Sequence, residues 1–236
     1  DAQTSLEKCN GRIISHYGQH VDVESLITED EGRLIRCTQR SNLPRLVTGD
    51  LVVWSDDGAD GGVVLALGQR RNFFGRPSPE GQFKAMAANI DSVLVVFASS
   101  PTPHVSLIDR YLVAIEQLQL TAVLVLNKLD LLNQEELANL DSMLSPYRDI
   151  GYPVYKVSAE DGRGMIELEE LLASQTTILV GQSGVGKSSL VNVLLPDSEL
   201  RVGALSESTQ KGTHTTTTAQ LFHMPTGGTL IDSPGI

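Results

Sequence analysis

Eight residues in the last quarter of the chain restrict its fold more than any other stretch. They read Gly181-Gln182-Ser183-Gly184-Val185-Gly186-Lys187-Ser188 and fit the pattern G-x-x-x-x-G-K-[ST]. This pattern indicates phosphate binding where a strand leads into it and a helix follows it. Residues 177–180 are apolar and β-branched, and residues 189–195 carry apolar side chains at helical spacing. We therefore predict a strand, a phosphate loop and a helix, with a nucleoside triphosphate as the ligand.

Each part of this loop has a predicted role in holding phosphate. The glycines allow N–H groups to converge on phosphate oxygens, and the start of the helix adds partial positive charge. Lys187 is predicted to reach the β- and γ-phosphates as a catalytic residue, and the Ser188 hydroxyl to ligate Mg²⁺. A glycine-rich turn that merely precedes a lysine is the competing interpretation, which the flanking strand and helix disfavour. The other predicted nucleotide contacts are Gly181, Gln182, Ser183, Gly184, Val185, Gly186 and Ser189.

Length and composition allow two modest domains and disfavour several classes of protein. The chain has 236 residues, a net charge of −11 and two cysteines, Cys9 and Cys37, without C-x-x-C spacing. The net negative charge disfavours general nucleic-acid binding. Two cysteines at this spacing form neither a disulfide framework nor a zinc site, which favours a protein of the reduced cytoplasm. No apolar run approaches the ~20 residues that span a bilayer, and no signal peptide is visible. Because the first residue is not a methionine, we expect a terminus to be missing.

The first third of the chain reads as short strands separated by turns. A hairpin is indicated around Gly18-Gln19. Five short strands without a long helix predict a small closed barrel, with an oligonucleotide-binding (OB) fold as the first candidate and an SH3-like barrel as the alternative. Residues 70–81 hold two prolines and two glycines, which predicts a linker, and the first domain is placed at residues 1–80. The predicted strands are residues 12–17, 20–25, 33–37, 50–54 and 62–67.

Positive charge is concentrated in this region, although the chain as a whole is acidic. No acidic residue lies between Gly32 and Gly49, where four arginines occur, and three more arginines follow. Two interpretations remain open: an ordinary solvated basic face, or a local patch that binds RNA phosphates. The arginines are Arg33, Arg36, Arg40, Arg45, Arg70, Arg71 and Arg76.

From residue 91 onward the pattern changes to alternating strands and helices. Two continuous apolar runs are typical of strands buried on both faces of a parallel sheet, and apolar residues at helical spacing lie between them. Such strand–helix–strand units predict an α/β domain, placed at residues 81–236. The predicted strands are residues 91–98, 121–126, 153–157 and 177–180, the helices 106–118, 134–144 and 165–173, and the final hairpin 221–224 with 229–232.

A guanine-binding sequence follows the second of these strands. Asn127-Lys128-Leu129-Asp130 fits N-K-x-D, and the Asp130 carboxylate can accept hydrogen bonds from both N1–H and the 2-amino group of guanine, a pair of donors that adenine lacks. Lys128 can lie across the nucleotide, and Asn127 can join this loop to the phosphate loop. A solvated helix cap is the alternative. Ser158-Ala159-Glu160 follows the next strand, and the Ala159 N–H is predicted to meet the guanine O6.

Two further segments are predicted to contact Mg²⁺ or the γ-phosphate. Asp232-Ser233-Pro234-Gly235 follows the last strand and fits D-x-P-G. This motif predicts that Asp232 contacts Mg²⁺ through a water molecule and that the Gly235 N–H donates to the γ-phosphate. Residues 211–218 form a polar loop that contains four consecutive threonines. One of them is predicted to close onto Mg²⁺ and the γ-phosphate, with Thr216 and Thr217 as the candidates.

The order of these segments along the chain is unusual. Ordinary GTPases begin with the phosphate loop, whereas here N-K-L-D and S-A-E precede it, a circular permutation that leaves the sheet unchanged. An all-β OB-fold barrel followed by an α/β circularly permuted P-loop GTPase domain resembles the ribosome small-subunit-dependent GTPase A family (RsgA, also YjeQ). The resemblance is carried by Val47-Thr48-Gly49-Asp50, Ala87-Ala88-Asn89-Ile90-Asp91, Ile108-Asp109-Arg110-Tyr111-Leu112 and residues 181–189 and 232–235.

The resemblance implies a cytoplasmic bacterial GTPase that acts late in maturation of the small (30S) ribosomal subunit. It implies GTP or GDP with Mg²⁺ as ligands, contact of the barrel with 16S rRNA near the decoding region, and hydrolysis stimulated by the subunit. The family carries a C-terminal zinc-binding domain after D-S-P-G. We expect this chain to be truncated before that domain, so zinc is expected only there and no metal ligands beyond those of Mg²⁺ are assigned. A monomer without a membrane partner is expected.

Hydrolysis also needs an oriented water molecule, which many GTPases hold with a glutamine directly after D-x-x-G. Here that position is Ile236, whose side chain forms no hydrogen bond. The hypothesis is slow intrinsic hydrolysis, with His214 as the candidate to hold the water once the ribosome orders its loop; a solvent-exposed loop histidine is the alternative. Two other functions stay open: a GTP-occupancy switch with incidental hydrolysis, and an ATP-dependent kinase or ATPase, against which Asp130 argues.

Overall fold

The fold is described from a computed structural model of the protein, which describes residues 3–4, 8–58, 61–77, 83–196 and 219–232. The described residues form two compact units. The first unit holds the residues up to 90 together with 219–221 and 231–232, and the second holds residues 91–196 and 222–230. Each unit has its own buried apolar core.

A closed five-stranded barrel forms the first unit. The strands of this unit's first half are β1 Gln3–Thr4, β2 Gly11–Tyr17, β3 His20–Ser25, β4 Leu34–Gln39, β5 Leu51–Asp56 and β6 Gly62–Gly68. The pairs β2–β3, β3–β4, β5–β6 and β2–β5 are antiparallel, and the pair β4–β6 is parallel, so the ring β2-β3-β4-β6-β5 returns to β2. This ring confirms the predicted OB-like barrel.

Strand β4 alternates between core and surface, whereas β3 is buried from Val21 to Ser25. In β4, Ile35 and Cys37 are buried while Leu34, Arg36 and Thr38 are exposed, which is the period of two expected of a half-buried strand. The predicted hairpin is confirmed, with Gly18 at φ 64° in the turn between β2 and β3. The barrel core also contains the residues Ile13, Val21, Val23, Leu46, Val52, Trp54, Val64 and Leu67.

A second hairpin lies where the sequence predicts a linker. Strands β7 (Phe73–Pro77) and β8 (Phe83–Ala88) pair antiparallel, with a register shift between Phe74 and Gly75. A side chain at Gly75 would collide with the backbone of Lys84, so this glycine serves close strand approach rather than chain flexibility. At the base of the hairpin, Asn72 exchanges two hydrogen bonds with the backbone of Ile90, at 2.8 and 2.9 Å.

The second unit is an α/β domain with a parallel sheet. Its elements are β9 Ser92–Ala98, α1 Val105–Gln117, β10 Thr121–Asn127, α2 Gln134–Asp149, β11 Val154–Lys156, α3 Met165–Leu172, β12 Thr176–Gly181 and α4 Lys187–Leu194. Strands β13 (Gln220–His223) and β14 (Thr229–Asp232) contribute residues to both units. The four parallel strands are ordered β12-β9-β10-β11, and β14 lies next to β12. Every residue of β9 is buried, as expected of a central strand covered on both faces.

The parallel arrangement places four loops at one edge of this sheet. The loops after β9, β10, β11 and β12 all leave the carboxyl ends of their strands, the edge at which α/β proteins bind ligands. In register, Val96 of β9 lies between Gly181 of β12 and Val125 of β10. The predicted phosphate loop and the N-K-L-D loop therefore begin two strands apart.

A buried ion pair stabilises one end of the barrel. The Arg70 guanidinium donates to Asp50 Oδ1 at 2.7 Å and to Oδ2 at 2.8 Å, and Oδ2 also accepts the Val47 N–H at 2.8 Å. Arg70 donates in addition to the Arg45 carbonyl at 2.8 Å. The Asp50 side chain is 0% exposed, so this carboxylate depends on Arg70 for its charge compensation.

We predict that Arg70→Ala lowers the free energy of unfolding of the barrel by about 3 kcal/mol, because it leaves a buried carboxylate without its cation. Trp54, the single tryptophan of the chain, is 5% exposed in the barrel core, so urea unfolding followed by its fluorescence reports on this unit. Burial raises the pKa of Asp50 and Arg70 opposes that rise, so the variant should raise the pKa further. A carboxyl group whose pKa is higher in the folded protein than in the unfolded chain lowers stability as the pH rises and the group ionises. The loss of unfolding free energy in Arg70→Ala should therefore be larger at pH 7 than at pH 5.

Arg33→Ala is the matched control for this prediction. Arg33 and Asp30 form an ion pair at 3.4 Å whose side chains are 47% and 49% exposed. Exposed pairs contribute roughly 0–1 kcal/mol, so the control should unfold within that range of the wild type. Equal losses in the two variants would show that the buried pair does not stabilise the barrel.

Candidate nucleotide-binding site

The phosphate loop has the predicted strand and helix on either side. Strand β12 ends at Gly181, and α4 begins at Lys187 directly after the loop. Gly184 and Gly186 adopt φ of 83° and 91°, a region that glycine enters without strain. A side chain at Gly181 would collide with the Val96 carbonyl, and one at Gly186 with the Asn127 amide. The glycine pattern is therefore a packing requirement of this fold as well as a feature of phosphate binding.

Two loop residues present the chemistry expected of a phosphate site. The Lys187 ammonium donates to the carbonyls of Gly181 at 2.6 Å and Gln182 at 2.9 Å, which holds it over the loop. Ser188 lies in the first turn of α4 and is exposed, so its hydroxyl is accessible at a helix N-terminus. A glycine cradle, an ammonium and an accessible hydroxyl are a donor set that fits a nucleotide phosphate with Mg²⁺.

The Asn127 side chain joins three loops of the site. It is 1% exposed and donates through Nδ2 to the Val185 carbonyl at 3.1 Å and the Gly186 carbonyl at 3.4 Å. Its Oδ1 accepts the Ala159 N–H at 3.2 Å. The predicted connection between Asn127 and the phosphate loop is confirmed, and the S-A-E loop takes part in it as well.

Lys128 makes a second connection to the phosphate loop. Its ammonium donates to the Gly184 carbonyl at 2.6 Å and to the Ser100 carbonyl at 2.9 Å. Its backbone is left-handed at φ 65°, a conformation that is rare outside glycine and asparagine. Lys128 thus links the loops that follow β9, β10 and β12. Its predicted position across a bound nucleotide stays a prediction.

The predicted guanine-reading residue is held by a serine of the next loop. Asp130 lies in a 3₁₀ turn, Leu129–Leu131, and is half-buried. The Ser158 hydroxyl, which is fully buried, donates to Asp130 Oδ1 at 2.7 Å. Asp130 and the S-A-E loop, both of which the sequence predicts to lie at the base, are therefore in direct contact.

The Ala159 N–H differs from its predicted role in one respect. Sequence reasoning gave this donor to the guanine O6, whereas in the structure it donates to Asn127 Oδ1. Because a backbone N–H carries one hydrogen, contact with O6 requires the donor to be shared or moved. The O6 contact stays a prediction.

Several predicted site residues lie outside the described part of the chain. His214, Thr216, Thr217 and Gly235 belong to this group, so their predicted roles are not addressed by the geometry. Asp232 is the last residue of β14 and is exposed. Among the described residues, no group of three His, Cys, Asp or Glu side chains can hold a metal ion. Mg²⁺ bound with a nucleotide needs no such group, because phosphate oxygens and water supply most of its ligands.

Three residues that contribute to the arrangement were not predicted from the sequence. Ser100 acts through its backbone carbonyl, which no side-chain pattern reveals. Asp161 and Arg163 close the loop that carries Ser158 through hydrogen bonds within that loop. Only the rule that all four loops share one sheet edge could have directed attention to Ser100.

Together, the phosphate loop and the N-K-L-D loop define a P-loop domain of the circularly permuted GTPase class, because they leave strands of one parallel sheet in reversed chain order. Comparison with known proteins agrees with this class. The profile of the family described as RsgA GTPase matches residues 67–236, which is most of the chain. The chain belongs to the RsgA GTPase family.

Named relatives and solved structures are similar over nearly the whole chain. A protein of Azotobacter vinelandii named "Small ribosomal subunit biogenesis GTPase RsgA" is 55% identical over 96% of this chain and 66% of its own length. The protein of the same name from Ectopseudomonas mendocina is 52% identical over 96% and 66%. This chain therefore spans 66% of the length of these curated relatives.

Two solved structures have the same fold. The crystal structure of YjeQ from Thermotoga maritima aligns with a TM-score of 0.76 at 32% identity, covering 95% of this chain and 74% of that one. The structure of YloQ, described as a circularly permuted GTPase, aligns with a TM-score of 0.72 at 28% identity, covering 95% and 70%. These alignments confirm the predicted barrel followed by a permuted GTPase domain.

Asn127→Asp should destabilise the second unit by about 3 kcal/mol, because a carboxylate cannot donate to the Val185 and Gly186 carbonyls and a buried charge replaces a neutral amide. Thermal unfolding followed by circular dichroism measures the loss. Asn133→Asp is the matched control. Asn133 caps α2 by accepting the Glu136 N–H at 2.9 Å, and aspartate caps equally well. If both variants unfold like the wild type, Asn127 does not hold the three loops together.

Proposed function

We propose that this protein is a GTPase that acts in maturation of the small (30S) ribosomal subunit. The observation that carries the proposal is the contact of Asn127 with both the phosphate loop and the S-A-E loop. This contact supports a single site formed by the proposed phosphate-binding and base-binding loops. The name of the relatives, small ribosomal subunit biogenesis GTPase, supplies the process.

Guanine selection is assigned to Asp130. Its carboxylate can accept two hydrogen bonds side by side from guanine, and the Ser158 hydroxyl at 2.7 Å orients one of its oxygens. A site built to accept those donors rejects a base that lacks them, because its polar groups would be left unpaired. This arrangement disfavours the ATP-dependent alternative.

The phosphate end of the site is assigned to the loop between β12 and α4. Lys187 neutralises charge on the β- and γ-phosphates, and Ser188 provides a metal ligand, with Asp232 acting through water. Mg²⁺ would supply further charge neutralisation of the phosphates. Thr216 or Thr217 and the Gly235 N–H are the proposed additional contacts to the γ-phosphate end.

The attacking water must be oriented by a group other than residue 236, which is isoleucine. We assign this role to His214, the histidine of the threonine-rich segment, acting when the ribosome engages that segment. An imidazole can hold a water molecule by hydrogen bond near neutral pH. Intrinsic hydrolysis is accordingly slow, and engagement of the subunit accelerates it.

The barrel is the proposed contact with 16S rRNA. Arg33, Arg36, Arg40 and Arg45 are all exposed on it, which suits binding to phosphates on an otherwise acidic protein. Arg70 is excluded from this patch because its guanidinium is paired with the buried Asp50, and Arg36 contributes less than the others because it is paired with Asp22. No helix among the described residues is long and apolar enough to cross a membrane. A monomer in the bacterial cytoplasm is the proposed form.

GTP hydrolysis measured with and without purified small ribosomal subunits tests this function. We expect slow turnover by the chain alone and faster turnover with subunits.

Lys187→Ala should lower stimulated turnover by about 10²-fold or more, as removal of a transition-state contact does in other enzymes, and it should weaken GTP binding as well. His214→Ala should lose most of the stimulation. Turnover unaffected by the subunit, with tight binding that depends on GTP over GDP, would favour the occupancy switch instead.

Asp130→Asn should change the base preference from guanine to xanthine. An asparagine offers one acceptor and one donor, which match the N1–H and the 2-carbonyl of xanthine but not the two donors of guanine. GDP affinity should fall about 100-fold, the loss of two hydrogen bonds to a charged group, while affinity for xanthosine diphosphate rises. Fluorescent-nucleotide competition measures both, and unchanged GDP binding would contradict the assignment of Asp130.

A further inference from the structure

The loop that follows β11 is closed by hydrogen bonds within itself. The Ser158 N–H donates to the Arg163 carbonyl at 2.9 Å, and the Gly162 N–H donates to the Ser158 carbonyl at 2.9 Å. Gly162 adopts φ 82°, a conformation that glycine tolerates and that allows the chain to turn back. The position of Ser158 is therefore set by residues up to five places further along the chain.

The Ser158 hydroxyl carries this arrangement to Asp130. Its oxygen accepts the Asp161 N–H at 3.2 Å, and its hydrogen is donated to Asp130 Oδ1 at 2.7 Å. A hydroxyl has one hydrogen, and the Asp161 N–H occupies a lone pair of the same oxygen. The hydrogen is consequently directed at the Asp130 carboxylate.

An ion pair holds the turn that supplies this N–H. Asp161 Oδ1 accepts the Arg163 N–H at 3.2 Å, and Oδ2 accepts from the Arg163 guanidinium at 2.8 Å. The hydrogen bond from Arg163 is the main cause that lowers the pKa of Asp161 to about 2, so this carboxylate is ionised at neutral pH. The pKa of Arg163 is raised first by its hydrogen bond to Asp161 and further by the charges of Asp161 and Asp130.

We propose that Asp161 and Arg163 are positioning residues for guanine selection, which fix the turn that directs the Ser158 hydroxyl at Asp130. The proposal rests on the proposed function, in which Asp130 reads the base. Guanine presents two donors side by side, so both of its hydrogen bonds depend on the orientation of one carboxylate. Neither Asp161 nor Arg163 needs to contact the nucleotide for this effect.

Nucleotide affinity of Asp161→Ala for GDP and for IDP tests the proposal. Hypoxanthine lacks the 2-amino group, so IDP offers Asp130 one donor where GDP offers two. A poorly oriented Asp130 should therefore weaken the binding of GDP more than the binding of IDP. We expect GDP affinity to fall about fivefold, the equivalent of one net hydrogen bond, with a smaller fall for IDP and a reduced ratio between them.

Further variants separate positioning from a general loss of structure. Arg163→Gln should reduce the GDP-to-IDP ratio in the same way, and the double variant should add little, because the two residues act as one pair. Asp161→Asn keeps an acceptor for the Arg163 N–H and should retain part of the preference. If Asp161→Ala lowers the unfolding temperature, the GDP-to-IDP ratio of Asp161→Asn tests the positioning role instead.

Asp141→Ala is the matched control. Asp141 is also an acidic side chain held by cations, Arg148 at 2.5 Å and Lys156 at 2.9 Å, but it lies on α2. Its replacement should leave the GDP-to-IDP ratio unchanged. A wild-type ratio in Asp161→Ala and Arg163→Gln would overturn the inference while leaving the proposed function intact. A wild-type protein that binds ADP as tightly as GDP would instead overturn the proposed function, and the inference with it.

Discussion

The hydrogen bonds of the Asn127 side chain are the interaction on which the site depends. One buried amide donates to the phosphate loop and accepts from the loop after β11, while its own backbone ends β10. A side-chain amide offers two donor hydrogens and an acceptor oxygen on one neutral group. Each buried donor or acceptor left without a partner would lower the stability of the fold by roughly 1–3 kcal/mol. The sheet fixes the strand ends, and Asn127 converts three separate loops into one structure.

Sequence patterns predicted most of the elements because each pattern is local. The strands of the barrel and the parallel sheet follow from alternation and from continuous apolar runs. The end of α2 did not follow, since the prediction stopped it at residue 144, before Pro146, whereas the helix continues to Asp149 with Pro146 inside it. Tyr147 is buried and donates to Asp109 on α1 at 2.6 Å. Such tertiary contacts offset the roughly 3 kcal/mol cost of an internal proline, and no local pattern contains them.

The site shows the same division between local and non-local information. Asn127, Asp130 and Lys187 could be predicted as site residues because the proposed chemistry requires particular side chains at particular spacings. Ser100 could not be identified from its residue type, because any residue offers a backbone carbonyl and only the sheet order places this one near Lys128. The β7 strand was missed for a related reason, since Gly75 reads as a turn residue until the closeness of Lys84 is known. A glycine in the sequence can indicate that a side chain would not fit, but it does not indicate which neighbouring residue lies too close.

The reversed order of the loops has little physical consequence for the site itself. Loop positions at the carboxyl edge depend on which strands are neighbours, and β9 pairs in register with both β12 and β10. The two loops therefore start about 10 Å apart, twice the spacing of adjacent strands, whichever comes first along the chain. Chain order determines instead how many residues separate the segments that meet in the site. Here β12 and its phosphate loop come after the strands that lead into the N-K-L-D and S-A-E loops, so the contacts of Asn127 with Val185 and Gly186 join residues 58 and 59 positions apart.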